Sequence, residues 1–223
     1  MDTQQLQKTM LFRGMTDSEI AEALQVLEAH EKCYKKGETL LIAGTITERM
    51  GLVLQGSVTI ESNDAWGNRT IISHVGNGQV FAETYALLEN EPMLVDVTAS
   101  EDCRILFLRS GRIQSLNSSL EPWALKHITN LLTISMHKNM ILSGRSFHTA
   151  PKTIRGRVMA YLNSVSLQKH SWEFDIPFDR QQLADYLNLE RSALSKELGK
   201  MQRDGLISCR KNHFIILQTG LEH

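Results

Sequence analysis

The stretch that most constrains this chain is Asp179–Met201, DRQQLADYLNLERSALSKELGKM, because its apolar spacing fits two short helices crossing at a tight turn. Asp179 can cap a first helix whose inner face is Leu183, Ala184 and Leu187. Asn188 falls where the chain must turn, and asparagine is the residue other than glycine that best tolerates a left-handed conformation. Ala184 is small enough for the second helix to approach closely and bring Leu194 against it. That second helix, Glu190 to about Met201, buries Leu194, Leu198 and Met201 and leaves Arg191, Ser192, Ser195 and Lys196 on the opposite side.

Such a polar face near a helix N-terminus suits the major groove of DNA. There arginine bonds guanine bidentately, lysine bonds guanine or phosphate, and serine bonds either. The plainer alternative is an amphipathic helix with a solvated charged face. The sequel weighs against it: Gly205 ends the helix, and Leu206–Cys209 and Phe214–Leu217 read as two apolar strands around the polar tip Arg210, Lys211, Asn212 and His213. A basic wing beside a groove helix supplies phosphate anchors. The candidate DNA-contacting set is Arg180, Arg191, Ser192, Ser195, Lys196 and Lys211.

Charge agrees with this placement once the chain is divided. The net charge of -1 conceals 13 basic against 17 acidic residues in 1–150, and 11 against 8 in 151–223. Only the C-terminal part suits a phosphate backbone.

The N-terminal part reads differently. Thr16 is a predicted N-cap, with Glu19 three residues on, for a short helix carrying Ile20, Ala23, Leu24 and Leu27. Seven β-rich runs follow: Thr39–Ala43, Met50–Leu54, Ser57–Glu61, Thr70–Val75, Gln79–Phe81, Leu94–Ala99 and Arg104–Leu108, separated by Gly37, Gly44, Gly56, Gly67, Gly76 and Gly78. Short strands at regular spacing with glycine turns predict a double-sheet roll. No phosphate-binding or dinucleotide-type glycine pattern occurs among them.

From Pro122 to about Ser143 the residues Leu125, Ile128, Leu132, Ser135, Asn139 and Leu142 repeat at three- and four-residue intervals, an imperfect heptad seam. It predicts a dimerisation helix; a helix packed on its own domain is the alternative. Gly144–Ala150 reads as a hinge, and Pro151 restarts a helix to about Ser164. The expected fold is α+β: a double-stranded β-helix (jelly-roll) sensor domain in 1–120, a dimerisation helix in 121–147 and a winged helix-turn-helix in 148–223.

No run of roughly 18 apolar residues occurs, and Met1–Leu11 lacks the plan of a signal peptide, so a cytoplasmic protein without membrane contact is expected. Cys33, Cys103 and Cys209 are too few and too widely spaced for a disulfide framework or CxxC metal site, and read as buried reduced thiols.

With the roll, the long helix and the winged helix in sequence, nearly the whole chain resembles the Crp/Fnr family of bacterial regulators. The most specific matches are Gly78-Gln-Val-Phe-Ala-Glu83, similar to the family's G-x-x-F-G-E, and RQQLADYLNLERSALSKELGKMQRDGLI. In the family, residues at the positions of Arg191, Ser192, Ser195 and Lys196 contact bases. In its cyclic-AMP-binding members the glutamate bonds the ribose and an Arg-Ser pair about ten residues on holds the cyclic phosphate. Glu83 is present here, but Met93 and Leu94 stand in place of the pair. Burying a phosphate without a partner costs several kcal/mol or more, which argues against cyclic AMP unless a basic residue reaches in from elsewhere.

Other chemistries of the family fare less well. An iron-sulfur cluster needs four suitably placed cysteines and this chain has three. Haem-binding members use a cysteine or histidine as axial ligand near the F-x-E segment; His74 is the nearest candidate, and one histidine in a strand is usually just packed or solvated. A metal enzyme of cupin type needs clustered ligands, and His30, His74, His127 and His137 form no such cluster. No metal, cofactor or catalytic residue is therefore assigned. The expectation is an uncharged or apolar effector between Glu83, Tyr85, Met93, Leu94, Asn139, Leu142 and Ser143, with Glu83 bonding loop amides as its alternative role. A rotation at the hinge then links effector to DNA affinity. The expected partners are a second copy, an inverted-repeat operator in double-stranded DNA, the effector, and RNA polymerase through Asp64–Asn68, which carries Trp66, and Gln168–Trp172. A regulator active without effector, a β-roll binding protein or enzyme, and a nonspecific DNA-binding protein are the rival readings.

Overall fold

The computed structural model describes residues 2–63, 69–88, 90–115 and 121–217 of the chain. It divides into two compact units, Met1–Ser135 and Met136–His223.

The first unit opens with α1 (Thr3–Gln7) and α2 (Asp17–Val26). Thr16 and Glu19 form the predicted capping box on α2: the Glu19 amide donates to Thr16 Oγ1 at 3.3 Å and the Thr16 amide to Glu19 Oε2 at 2.7 Å. The roll follows as β1 (His30–Tyr34), β2 (Thr39–Leu41), β3 (Met50–Gln55), β4 (Val58–Asn63), β5 (Arg69–Val75) and β6 (Val80–Phe81). After α3 (Glu83–Leu87) come β7 (Asp96–Ala99), β8 (Cys103–Leu108), a 3-10 turn (Ser110–Ser115) and the start of α4 (Pro122–Thr149).

Two antiparallel sheets result, in the orders β1-β8-β3-β6 and β2-β7-β4-β5. Between them lies a core of Val53, Val58, Val75, Phe81, Met93, Val97, Ala99, Ile105 and Phe107. The other face of the first sheet packs Met50, Leu52, Leu54, Leu106 and Leu108 against Leu6, Phe12, Ile20, Leu27, Trp123 and Leu131. Strands β3 and β8 are thus covered on both faces, so their sequences are almost continuously apolar. Gly51 serves this packing: a Cβ there would lie 2.1 Å from Phe81 Cζ on the paired strand.

Strand β1 and helices α1 and α3 were not anticipated. The sequence His-Glu-Lys-Cys-Tyr of β1 is polar because only Tyr34 is buried at that sheet edge. Cys33 on it is exposed, which corrects the expectation of three buried thiols; Cys103 is buried and Cys209 half-buried.

The second unit holds the rest of α4, then α5 (Ile154–Lys169), β9 (Glu173–Asp175), α6 (Arg180–Tyr186), α7 (Arg191–Arg203), β10 (Ile207–Arg210) and β11 (His213–Ile216). The expected hinge at Gly144–Ala150 is not one. Helix α4 continues through Gly144 to Thr149, a helix interior tolerating one glycine at a cost of about 1 kcal/mol. The break falls at 150–153, where Pro151 lacks an amide hydrogen and Thr153 caps α5 by accepting from the Gly156 amide at 3.0 Å. Helix α5 therefore starts later than Pro151 and runs beyond Ser164.

Leu183, Ala184, Leu187, Leu194, Leu198 and Met201 join Val158, Tyr161, Leu162 and Val165 of α5 and Phe174, Ile207, Phe214 and Ile216 of the sheet β10-β11-β9 in one core. No helix among the described residues is long and apolar enough to cross a membrane.

Candidate nucleic-acid interface

The crossing of α6 and α7 is built as its sequence requires. Asp179 accepts from the Gln182 amide at 2.8 Å while Gln182 Oε1 accepts from the Asp179 amide at 2.9 Å, closing a capping box. Asn188 takes φ 53°, turning the chain toward α7, and Ala184 is fully buried beneath it.

On α7, Arg191, Ser192, Ser195 and Lys196 are all exposed, opposite the buried Leu194, Leu198 and Met201. The one acid of α7, Glu197, is held by Arg155 of α5, whose Nε donates to Glu197 Oε1 at 2.8 Å and whose Nη2 donates to Asp204 Oδ2 at 2.6 Å. The exposed face is consequently cationic.

Arg180, Arg191 and Lys211 come together around a cleft of about 600 Å³, which Asp179, Gln181 and Asn212 also line. Ser192, Ser195 and Lys196 extend the face along α7. Arg180 is held in place: its Nη2 donates to Cys209 Sγ at 3.3 Å and its guanidinium lies 5.3 Å from the Phe214 ring centre. Lys211 stands at the turn between β10 and β11 with φ 54°.

One residue of the polar wing tip has partners that the sequence does not announce. His213 has Nδ1 2.9 Å from Asp175 Oδ1 and Nε2 3.2 Å from Glu173 Oε1. The hydrogen bond to Asp175, aided by Glu173, raises its pKa above the ordinary imidazole value. Both carboxylates come from β9, about forty residues earlier, so no local pattern announces the cluster.

The candidate effector residues are divided between the two units. Glu83 opens α3 and is buried; Tyr85 is half-buried, and its hydroxyl accepts from the Leu94 amide at 3.3 Å. Met93 and Leu94 face opposite ways: Met93 is 2% exposed within the roll core, Leu94 76% exposed. In the second unit Asn139, Leu142 and Ser143 are exposed on α4, with Ser143 Oγ donating to Asn139 Oδ1 at 3.0 Å. His74, on β5, has its Nδ1 3.4 Å from Thr59 Oγ1. Of the two candidate polymerase loops, Asp64–Asn68 with Trp66 lies outside the described residues, and Gln168–Trp172 exposes the Trp172 ring.

A β-roll, a long helix and a winged helix define a DNA-binding regulator with an effector-binding domain. Residues 31–119 match the cyclic nucleotide-binding domain family and residues 156–220 the Crp-like helix-turn-helix domain family. The chain belongs to the Crp/Fnr family of transcription regulators, a family of regulators rather than enzymes.

Among its relatives, the CRP-like protein Clp of Xanthomonas oryzae pv. oryzae (strain PXO99A) is 22% identical over 197 residues, covering 86% of this chain and 85% of the relative. Two solved structures share the fold. The c-di-GMP-responsive global regulator CLP of Xanthomonas campestris superposes with a TM-score of 0.54 at 18% identity, over 92% of this chain and 100% of that one. OCPA-complexed CprK does so with a TM-score of 0.61 at 15% identity, over 89% and 90%.

Proposed function

We propose that two copies of this chain bind an inverted repeat in double-stranded DNA. Arg191, Ser192, Ser195 and Lys196 read base edges in the major groove, and Arg180 and Lys211 anchor phosphates on either side. The observation that carries this reading is the exposed cationic face of α7 in a Crp-like helix-turn-helix, with Arg180, Arg191 and Lys211 around one cleft. Pairing of two copies draws support from α4, where Leu125, Ile128, Leu132, Met136 and Met140 leave apolar surface exposed at helical spacing.

The effector acts through the roll and is not cyclic AMP, because Met93 and Leu94 offer neither cation nor hydroxyl for a cyclic phosphate. Glu83, Tyr85 and Leu94 are its candidate contacts there. Responsiveness of the X. campestris regulator to c-di-GMP makes that dinucleotide one compound to screen. The burial of Met93 among Phe81 and Phe107 favours a second reading, a regulator active without effector. RNA polymerase is the expected partner if the chain activates transcription.

Selection from random duplexes tests the DNA reading. An inverted repeat with half-sites about ten base pairs apart is expected, and absence of any sequence preference at moderate salt overturns it. A thermal shift with c-di-GMP would favour an effector over the second reading, and one with cyclic AMP would overturn its exclusion.

A further inference from the structure

Arg145, near the end of α4, directs its guanidinium into the turn between α6 and α7. Its Nε donates to the Tyr186 carbonyl at 3.0 Å, and its Nη2 to the Asp185 carbonyl at 3.0 Å and to Asn188 Oδ1 at 3.1 Å. The same guanidinium lies 5.7 Å from the Tyr186 ring centre. One turn further along α4, the buried His148 has Nδ1 2.9 Å from the Tyr186 hydroxyl, and its ring packs edge-on against Tyr161. From α5, Arg157 Nη1 donates to the carbonyls of Leu187 and Asn188 at 3.2 and 3.1 Å.

Carbonyls at the end of a helix have no partner within it. At the end of α6 those of residues 185–188 are taken by arginines from α4 and α5. The connection at 150–153 is therefore not a free joint, because three hydrogen bonds from Arg145 and one between His148 and the Tyr186 hydroxyl tie α4 directly to residues 185–188.

We propose that Arg145 is a positioning residue for operator recognition: by clasping the α6–α7 turn to α4 it fixes the separation of the two α7 helices in a dimer, and so determines which spacing between half-sites is bound. The inference rests on the dimeric reading above. It differs from a phosphate contact, because the guanidinium is occupied by protein acceptors and its removal changes geometry rather than local affinity.

The test uses the full chain with three kinds of duplex: the selected operator, the same operator with its spacer changed by one or two base pairs, and a single half-site. Each base pair turns one half-site by about 34° relative to the other. Wild type is expected to lose affinity on the order of tenfold for one base pair of displacement. In Arg145→Ala the optimal operator binds about tenfold more weakly and the spacing preference flattens to within about threefold, through lost preorganisation. Affinity for the half-site is unchanged.

Arg145→Lys keeps the charge without the planar fork and is expected to behave like alanine. Tyr186→Phe, which removes only the hydroxyl facing His148, shifts the profile the same way to a smaller degree and serves if the arginine variant does not fold. A wild-type spacing profile in Arg145→Ala, full rescue by lysine, or a parallel loss at the half-site overturns the inference alone. A wild type without any spacing preference overturns the dimeric reading and the inference with it.

Discussion

On α7 the candidate residues Arg191, Ser192, Ser195 and Lys196 stand exposed over a closed apolar core, whereas in the roll Met93 is itself part of the core and Glu83 is buried. The sequence supplied equally explicit candidates for both regions. What differs is how each region uses them. A face that must meet a large, rigid, highly charged partner leaves its polar groups outside at helical spacing. A space between two sheets has first to be filled, and a residue there is recruited for packing whatever else it does.

That contrast can be broken most severely at Met93. Met93→Ala is expected to cost about 2–5 kcal/mol of stability, as deletion of a buried methionine side chain does, with no change in base preference. Urea denaturation measures the first and operator selection the second. Unchanged stability would show that the roll interior has room to spare and would favour an effector there.

The next effect comes from the helical side of the first unit. His127 is fully buried, 3.3 Å from Ser110 Oγ, and burial lowers its pKa from 6.5 to about 4. The unfolded chain takes up a proton as pH falls through 6.5, and the folded chain does so only near 4. Stability from this group is complete above pH 6.5 and declines as pH drops toward 4, by about 3 kcal/mol in all. Denaturation at pH 7, 5.5 and 4.5 should show the decline, and His127→Gln should lack it.

Arg191→Ala is expected to leave stability unaltered, to weaken operator binding by about 1–3 kcal/mol and to relax preference at one base pair per half-site. Lys211→Ala should have the smallest effect, weakening all sequences alike and reducing the salt slope by about one. Titrations at several salt concentrations distinguish the two. Identical behaviour of the two variants would remove the division between base reading and phosphate anchoring.

Legibility followed the range of the interaction. The capping box of Thr16 and Glu19 and the left-handed Asn188 depend on neighbours within a few residues, and all were readable. The apolar runs of β3 and β8 were readable too, since burial on both faces is written into composition. Strands β1 and β9 were not, because an edge strand needs only one or two buried residues and otherwise resembles a loop. The partners of Arg145 and His213 were equally silent: they lie about forty residues away, and a surface arginine or histidine has the same sequence signature with or without them. Gly144 misled because glycine weakens a helix without ending it.

Strands β3 and β8 form a partition with occupied space on both sides, the intersheet residues against one surface and the N-terminal helices with the beginning of α4 against the other. A partition of this kind cannot bow toward one side without drawing on the other. Whatever enlarges or shrinks the volume between the sheets is delivered to Trp123 and Leu131 through Leu52 and Leu106, by steric displacement alone.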